Sequence, residues 1–252
     1  MSALPSAGDV REIEARTDHT DRLHAWADGR LGEGDLEALD GYVFKARSPS
    51  CGVEGVDVFD GDEAVDRAPG FFARRLLARD PLLPTCTEDD VQVPERRRHF
   101  LERAQTRARW RAFVTELPAD DATRAKALET FLRRHELLLV CREQSPVDFD
   151  LCADDAGALR LVGTLLLERM HAEPTLAGHV AALARLHDGL NGATHDERAG
   201  LAILIDQLER GESDVEVPRQ LARGMALRAG DDWSRAQHYL DPFPTVIPLS
   251  PR

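Results

Sequence analysis

Between Gly41 and Gly52 the chain reads GYVFKARSPSCG, an apolar run that has to stop at a turn. Tyr42, Val43 and Phe44 suit a buried strand, and Ser48-Pro49-Ser50-Cys51-Gly52 cannot continue one. Pro49 fixes φ, Gly52 admits backbone angles closed to other residues, and the hydroxyls of Ser48 and Ser50 can bond nearby amides. The segment thus holds one thiol, Cys51, at the mouth of a strand, where an α/β protein presents a metal ligand or a nucleophile.

The flanking pattern limits the sheet this strand can join. Leu23, Trp26, Ala27 and Leu31 fall at helical spacing and predict a helix over 20–31, capped by Thr20 or Asp21. The polar stretch before it, to about Asp18, has little periodicity and is expected on the surface. After Cys51, Val53, Val56, Val58 and Phe59 predict a second extended piece closed by Asp60-Gly61-Asp62, and 71–78 predicts a short helix ending before Pro81. That is too little for a doubly wound sheet.

The acidic stretch from Pro84 to Pro94 reads as a linker, and nearly everything beyond it reads as helix. Helices are predicted over 96–117, 122–141, 156–170, 176–190, 197–210 and 218–227, the second with Ala125, Leu128, Phe131, Leu132, His135, Leu138 and Leu139 on one face. Thr194 and Glu197 have capping-box spacing, and Gly211 stands where a helix-ending glycine belongs. The expected fold is α-rich α+β: a partial α/β, Rossmann-like N-terminal domain over 1–88, then an all-α helical bundle domain over 95–252.

Composition excludes some functions. No run approaches the roughly 20 apolar residues of a membrane helix, and Met1 to Asp9 do not read as a secretory signal. A cytoplasmic location without membrane contact is expected. A formal charge of -13 argues against binding nucleic acid through the overall field. One local basic patch remains, in Arg96, Arg97, Arg98, Arg103, Arg107, Arg109 and Arg111. These arginines read either as a solvated helix face or as contacts to RNA phosphates. Cys51, Cys86, Cys141 and Cys152 form no CxxC pair and fit neither a zinc module nor a disulfide framework.

Lys45 with SPSCG at 48–52, Gly70-Phe71-Phe72-Ala73 and Pro81-Leu82-Leu83-Pro84 resemble the last third of the TudS-type thiouracil desulfidase domain. The chain after about Arg96 resembles the YbgA-like helical domain, including its closing element at Tyr239 to Pro244. The fused arrangement is similar to that of RudS-type enzymes, which remove sulfur from 4-thiouridine in transfer RNA with a 4Fe-4S cluster. The resemblance implies Lys45, Ser48 and Ser50 as catalytic candidates in the substrate loop, Cys51 as a cluster ligand, and tRNA or a thiolated nucleobase as partner.

The same resemblance implies two further ligand motifs, which would precede Met1. A later start, functional drift or a second chain supplying that half would each account for this, and the cluster is not expected to assemble in the chain as written. The helical motifs have also drifted. A family motif similar to FHxRHKLLL appears as FLRRHELLL at 131–139, and HxNVLxH appears as HVAALAR at 179–185. His135 and His179 survive and read as motif positions or as core histidines. His99, His171, His187, His195 and His238 show no partner pattern, and Glu54 is a weak candidate acid near Cys51. Two readings follow: an impaired, divergent desulfidase homologue, or a non-catalytic helical protein that binds RNA or a protein partner.

Overall fold

The structure, a computed structural model, describes residues 19–32, 38–53, 55–60, 63–145 and 156–241. The opening stretch to Asp18, Glu54, Gly61-Asp62, Cys152 and the tail from Pro242 lie outside the described residues. Two compact units form, 1–104 and 105–252. The division falls within a helix that the sequence reading assigns wholly to the second domain.

The first unit contains α1 (Thr20–Gly32), β1 (Tyr42–Phe44), β2 (Val56–Asp60), β3 (Glu63–Ala68), α2 (Phe71–Arg79), β4 (Thr85–Thr87) and α3 (Glu88–Gln92). β1 and β4 pair in parallel, with Tyr42 opposite Thr85, Val43 opposite Cys86 and Phe44 opposite Thr87. Parallel pairing needs a crossover, and α2 lies within it. Ala27, Leu31, Phe44, Phe71, Phe72, Ala73, Leu76 and Leu83 make a single small core. β2 and β3 form an antiparallel ribbon with a register shift between Val58 and Phe59.

Pro84 to Pro94 is structured rather than a linker. Its acidic residues sit in the first turn of α3, where the helix dipole favours negative charge. Thr87 and Asp90 form a capping box there.

The helix α4 (Pro94–Thr115) begins in the first unit and ends in the second. The second unit continues through α5 (Asp121–Val140), α6 (Ala156–Arg169), α7 (Leu176–Gly189), α8 (His195–Glu209), α9 (Glu216–Ala229) and α10 (Asp232–Ala236). Its core is larger, with Leu137, Leu138, Leu166, Leu183, Leu186, Leu190, Leu201 and Met225 all fully buried. The expected capping box at Thr194 and Glu197 forms, and Gly211 follows with a φ of 73°. α10 was not foreseen, since five residues are too few for a periodic signal; Asp231 caps it by accepting from the Ser234 amide. No helix among the described residues is long and apolar enough to cross a membrane.

Candidate functional site

The loop after β1 is built by its own hydrogen bonds and then clamped from outside. The Ser48 amide donates to the Lys45 carbonyl at 3.3 Å, and the Gly52 amide donates to the Ser48 carbonyl at 2.8 Å. Ser48 Oγ lies 3.0 Å from Ser50 Oγ, which lies 3.4 Å from Cys51 Sγ. Two hydroxyls and a thiol therefore run in sequence along one turn.

The Ser50 carbonyl accepts from the amides of Phe72 and Ala73 at 3.0 and 3.2 Å, so the loop satisfies first-turn donors of α2. The Gly70 amide in turn donates to the Gly52 carbonyl at 2.8 Å. This approach leaves no room for side chains: a Cβ on Gly70 would lie 2.4 Å from the Ser50 carbonyl carbon, and one on Gly52 would lie 2.7 Å from the Ala46 oxygen.

Beside the loop opens a cleft of about 280 Å3, lined by Ala46 and Arg47 after β1, Thr87 at the end of β4, Asp89 of α3, Gly55 just before the ribbon, and Val56, Asp57 and Arg67 within it. It lies at the carboxyl ends of two parallel strands, where open α/β sheets bind ligands. Arg47 pairs with Asp89 and Arg67 with Asp57, each at 3.0 Å. Such exposed pairs add little stability, but they hold donors and acceptors around the opening. Glu88 anchors the loop by accepting from the Ala46 amide at 2.5 Å. Asp90 accepts from the Thr87 amide and hydroxyl and from Arg96. Burial raises its pKa, and these hydrogen bonds outweigh that and hold the carboxyl below its usual range.

Lys45 is exposed, Ser48, Ser50 and Cys51 are half-buried, and all four border the cleft in sequence without lining it. Cys86 on β4 is half-buried, and burial, with Asp90 adding to it against Arg103, pushes its thiol up to about 11. It is therefore a neutral thiol near pH 7. Cys141 is fully buried in the helical unit, where its thiol donates to the Leu138 carbonyl at 3.2 Å.

Among the described residues no three His, Cys, Asp or Glu side chains come together to hold a metal ion. The donors among the described residues do not fit a 4Fe-4S cluster, which needs at least three converging ligands.

The arginines of α4 are not one free face. Arg96 pairs with Asp90 at 2.8 Å, Arg97 donates to the Val91 carbonyl at 2.9 Å, and Arg103 is 9% exposed. Arg98, Arg107, Arg109 and Arg111 are half-buried.

In the helical unit His135 is completely buried, with Nδ1 2.8 Å from the Phe131 carbonyl oxygen. A carbonyl only accepts, so Nδ1 carries the proton. Burial drives the His135 pKa down to about 3 against that hydrogen bond, with Arg109 and Arg134 adding to the shift. The His238 ring lies 4.5 Å away, and its pKa is lowered by burial first and then by His135, Arg109 and Arg134. His179 Nδ1 lies 3.0 Å from the hydroxyl of the buried Tyr239. His135 and His179 thus both bind the 238–239 segment to the bundle.

Glu136 and Arg185, two positions where the resemblance implies other residues, also meet. They form an ion pair, and Glu136 accepts from the Trp233 indole at 3.0 Å.

Sequence reasoning missed Arg47, Arg67 with Asp57, Glu88, Asp90 and His238. Only Thr87-x-x-Asp90 carried a readable signal, its capping-box spacing.

Two family models match separate segments. Residues 6–88 match the family described as 2-thiouracil desulfurase, and 155–244 match DUF1722, described as a protein of unknown function. The chain joins a segment that matches the first family to one that matches the second. This is the TudS-type and YbgA-like combination that the SPSCG loop and the helical motifs imply. No curated protein and no solved structure matches the chain.

Proposed function

We propose that this chain is a divergent, impaired relative of the thiouracil desulfidases, whose described residues keep the substrate side of the site and bring no cluster ligands together. The observation that carries this reading is the clamped loop beside a ring-sized cleft at the carboxyl ends of β1 and β4. A thiolated uracil offers two ring N–H donors and exocyclic oxygen and sulfur acceptors. Arg47 and Arg67 can donate to the acceptors, and Asp57 and Asp89 can accept from the ring nitrogens. Lys45, exposed at the start of the loop, would meet the phosphate of a nucleotide substrate, and Ser48 and Ser50 would relay a proton to or from Cys51. Contact with transfer RNA would fall to arginines of α4 other than the buried Arg103.

A 4Fe-4S cluster would supply an open iron to take the substrate sulfur. The donor set of the described residues does not support it, so no step is assigned to it.

The test is a titration of the full chain with 2-thiouracil, followed by absorbance, with uracil as control and sulfide measured in the same samples. Saturable 2-thiouracil binding, weakened about tenfold by Arg47→Gln through loss of a charge-assisted hydrogen bond, with sulfide at background, is the expected result. Binding insensitive to Arg47→Gln would overturn the site, and multiple-turnover sulfide release would overturn the impairment.

A further inference from the structure

The FLRRHELLL segment does not take part in the site of the first unit. It contributes instead to a separate cavity in the helical unit. Lys126, Thr130 and Arg134 follow at four-residue spacing along one face of α5. This face borders a cavity of about 390 Å3 whose wall includes Phe113 and Phe131. The two rings stack at 4.6 Å with 29° between their planes, and Trp110 meets Phe131 edge-on at 5.5 Å.

The charges around this cavity are unlike those on the rest of the helix. Arg124 pairs with Asp121 and Arg133 with Glu129. Lys126 and Arg134 make no ion pair among the described residues, and no acid lines the cavity. Two uncompensated cations beside a stacked aromatic wall stand out in a chain of net charge -13. A neutral apolar ligand would gain nothing from them, and inorganic phosphate would gain nothing from the rings.

We propose that this cavity binds a nucleoside monophosphate, its base against Phe113, which the buried Phe131 backs, and its phosphate held by Arg134 or Lys126. The eight-position step from Lys126 to Arg134 corresponds to about 12 Å along the helix, enough for a base and its ribose phosphate to lie between them. Base stacking on an aromatic face and a guanidinium on phosphate are the usual complements of such a ligand. Thr130 gives its proton to the Lys126 carbonyl at 2.8 Å, which leaves its oxygen to accept from a base N–H. The inference is independent of the desulfidase reading and uses none of its residues.

The experiment titrates the full chain with adenosine 5′-monophosphate, reading tryptophan emission and calorimetric heat, beside adenosine alone and inorganic phosphate alone. Arg134→Gln and Lys126→Gln both alter exposed side chains, and circular dichroism checks that each variant is folded. Saturable binding of the monophosphate, with adenosine and phosphate each about tenfold weaker, is the expected result. Arg134→Gln or Lys126→Gln should remove about tenfold for the monophosphate and leave adenosine unchanged. A 5′-phosphorylated single-stranded RNA tetranucleotide separates the sources: tighter binding than the monophosphate assigns the site to an RNA end, weaker binding to a free nucleotide. Either order supports the site. No saturation by the monophosphate, phosphate alone binding as tightly, or binding unmoved by both substitutions would overturn it.

Discussion

Leu183 and Ser50 show how differently the two units are held. Leu183 is fully buried on α7 in a core to which α5 through α9 all contribute. Ser50 is half-buried on a loop, and its backbone carbonyl, rather than its side chain, fixes the turn against the first amides of α2. The helical unit is stabilised chiefly by apolar burial. The first unit combines a small core with backbone hydrogen bonds between segments far apart in the chain. Candidate chemistry gathers on the second kind of structure, where a few close approaches set the positions of several polar groups at once.

The largest expected effect breaks the larger core. Leu183→Ala should cost about 2–5 kcal/mol in urea unfolding, with hydrogen exchange rising in α5 and α7 and not around Cys51. A loss below about 1 kcal/mol would contradict this account of the core.

Next comes the clamp. Gly70→Ala places a methyl where the Ser50 carbonyl stands, and overpacking of this kind costs about 1–3 kcal/mol. The signature should be local: faster alkylation of Cys51 and faster exchange at Phe72 and Ala73, with the helical unit unchanged. Equal loss of protection in both units would erase the distinction drawn here.

The third prediction concerns Glu136 and Arg185. Glu136→Lys introduces the lysine that the resemblance implies here, yet should destabilise the helical unit by about 1–3 kcal/mol, because it loses the Trp233 bond and faces Arg185. Adding Arg185→His, the histidine that the resemblance implies there, should recover part of that loss. No recovery would mean that the two departures do not compensate one another.

The smallest effect near neutrality is the response to mild acid. His135 has a folded pKa depressed from 6.5 to about 3, so the unfolded chain binds its proton first. Stability from keeping it neutral is complete above about pH 6.5 and falls as pH drops toward 3. Asp90 in the first unit, held below its ordinary 3.8, contributes stability above that value and loses it only at lower pH. Hydrogen exchange between pH 7 and 5 should therefore loosen the helical unit before α3 of the first. The reverse order would contradict the assignment of His135 as a buried neutral group.

Much of the helical unit was legible because its signals are local. Thr194, Glu197 and Gly211 mark both ends of α8 within the helix's own sequence, and the apolar face of α5 repeats with helical period. β4 was not legible: Thr85, Cys86 and Thr87 alternate nothing, and their partner β1 lies far upstream. β3, Glu63 to Ala68, has only Val65 among its charged residues and alanines to suggest a strand, and its strand form comes from pairing with β2. At the site, SPSCG was visible as a turn bearing a thiol. The clamp was hidden because it is made of backbone amides and carbonyls, which leave no mark on side-chain identity beyond two glycines. Arg67 and Asp57 become neighbours only when the ribbon closes.

The measurement that tests the central claim most directly is iron and acid-labile sulfide content, with the visible absorption spectrum, after anaerobic reconstitution of this chain beside Cys51→Ser. The account predicts the same low iron in both proteins, because the described residues bring no third ligand to Cys51. About four irons per chain, lost in the variant, would contradict it and restore an assembled cluster to this site.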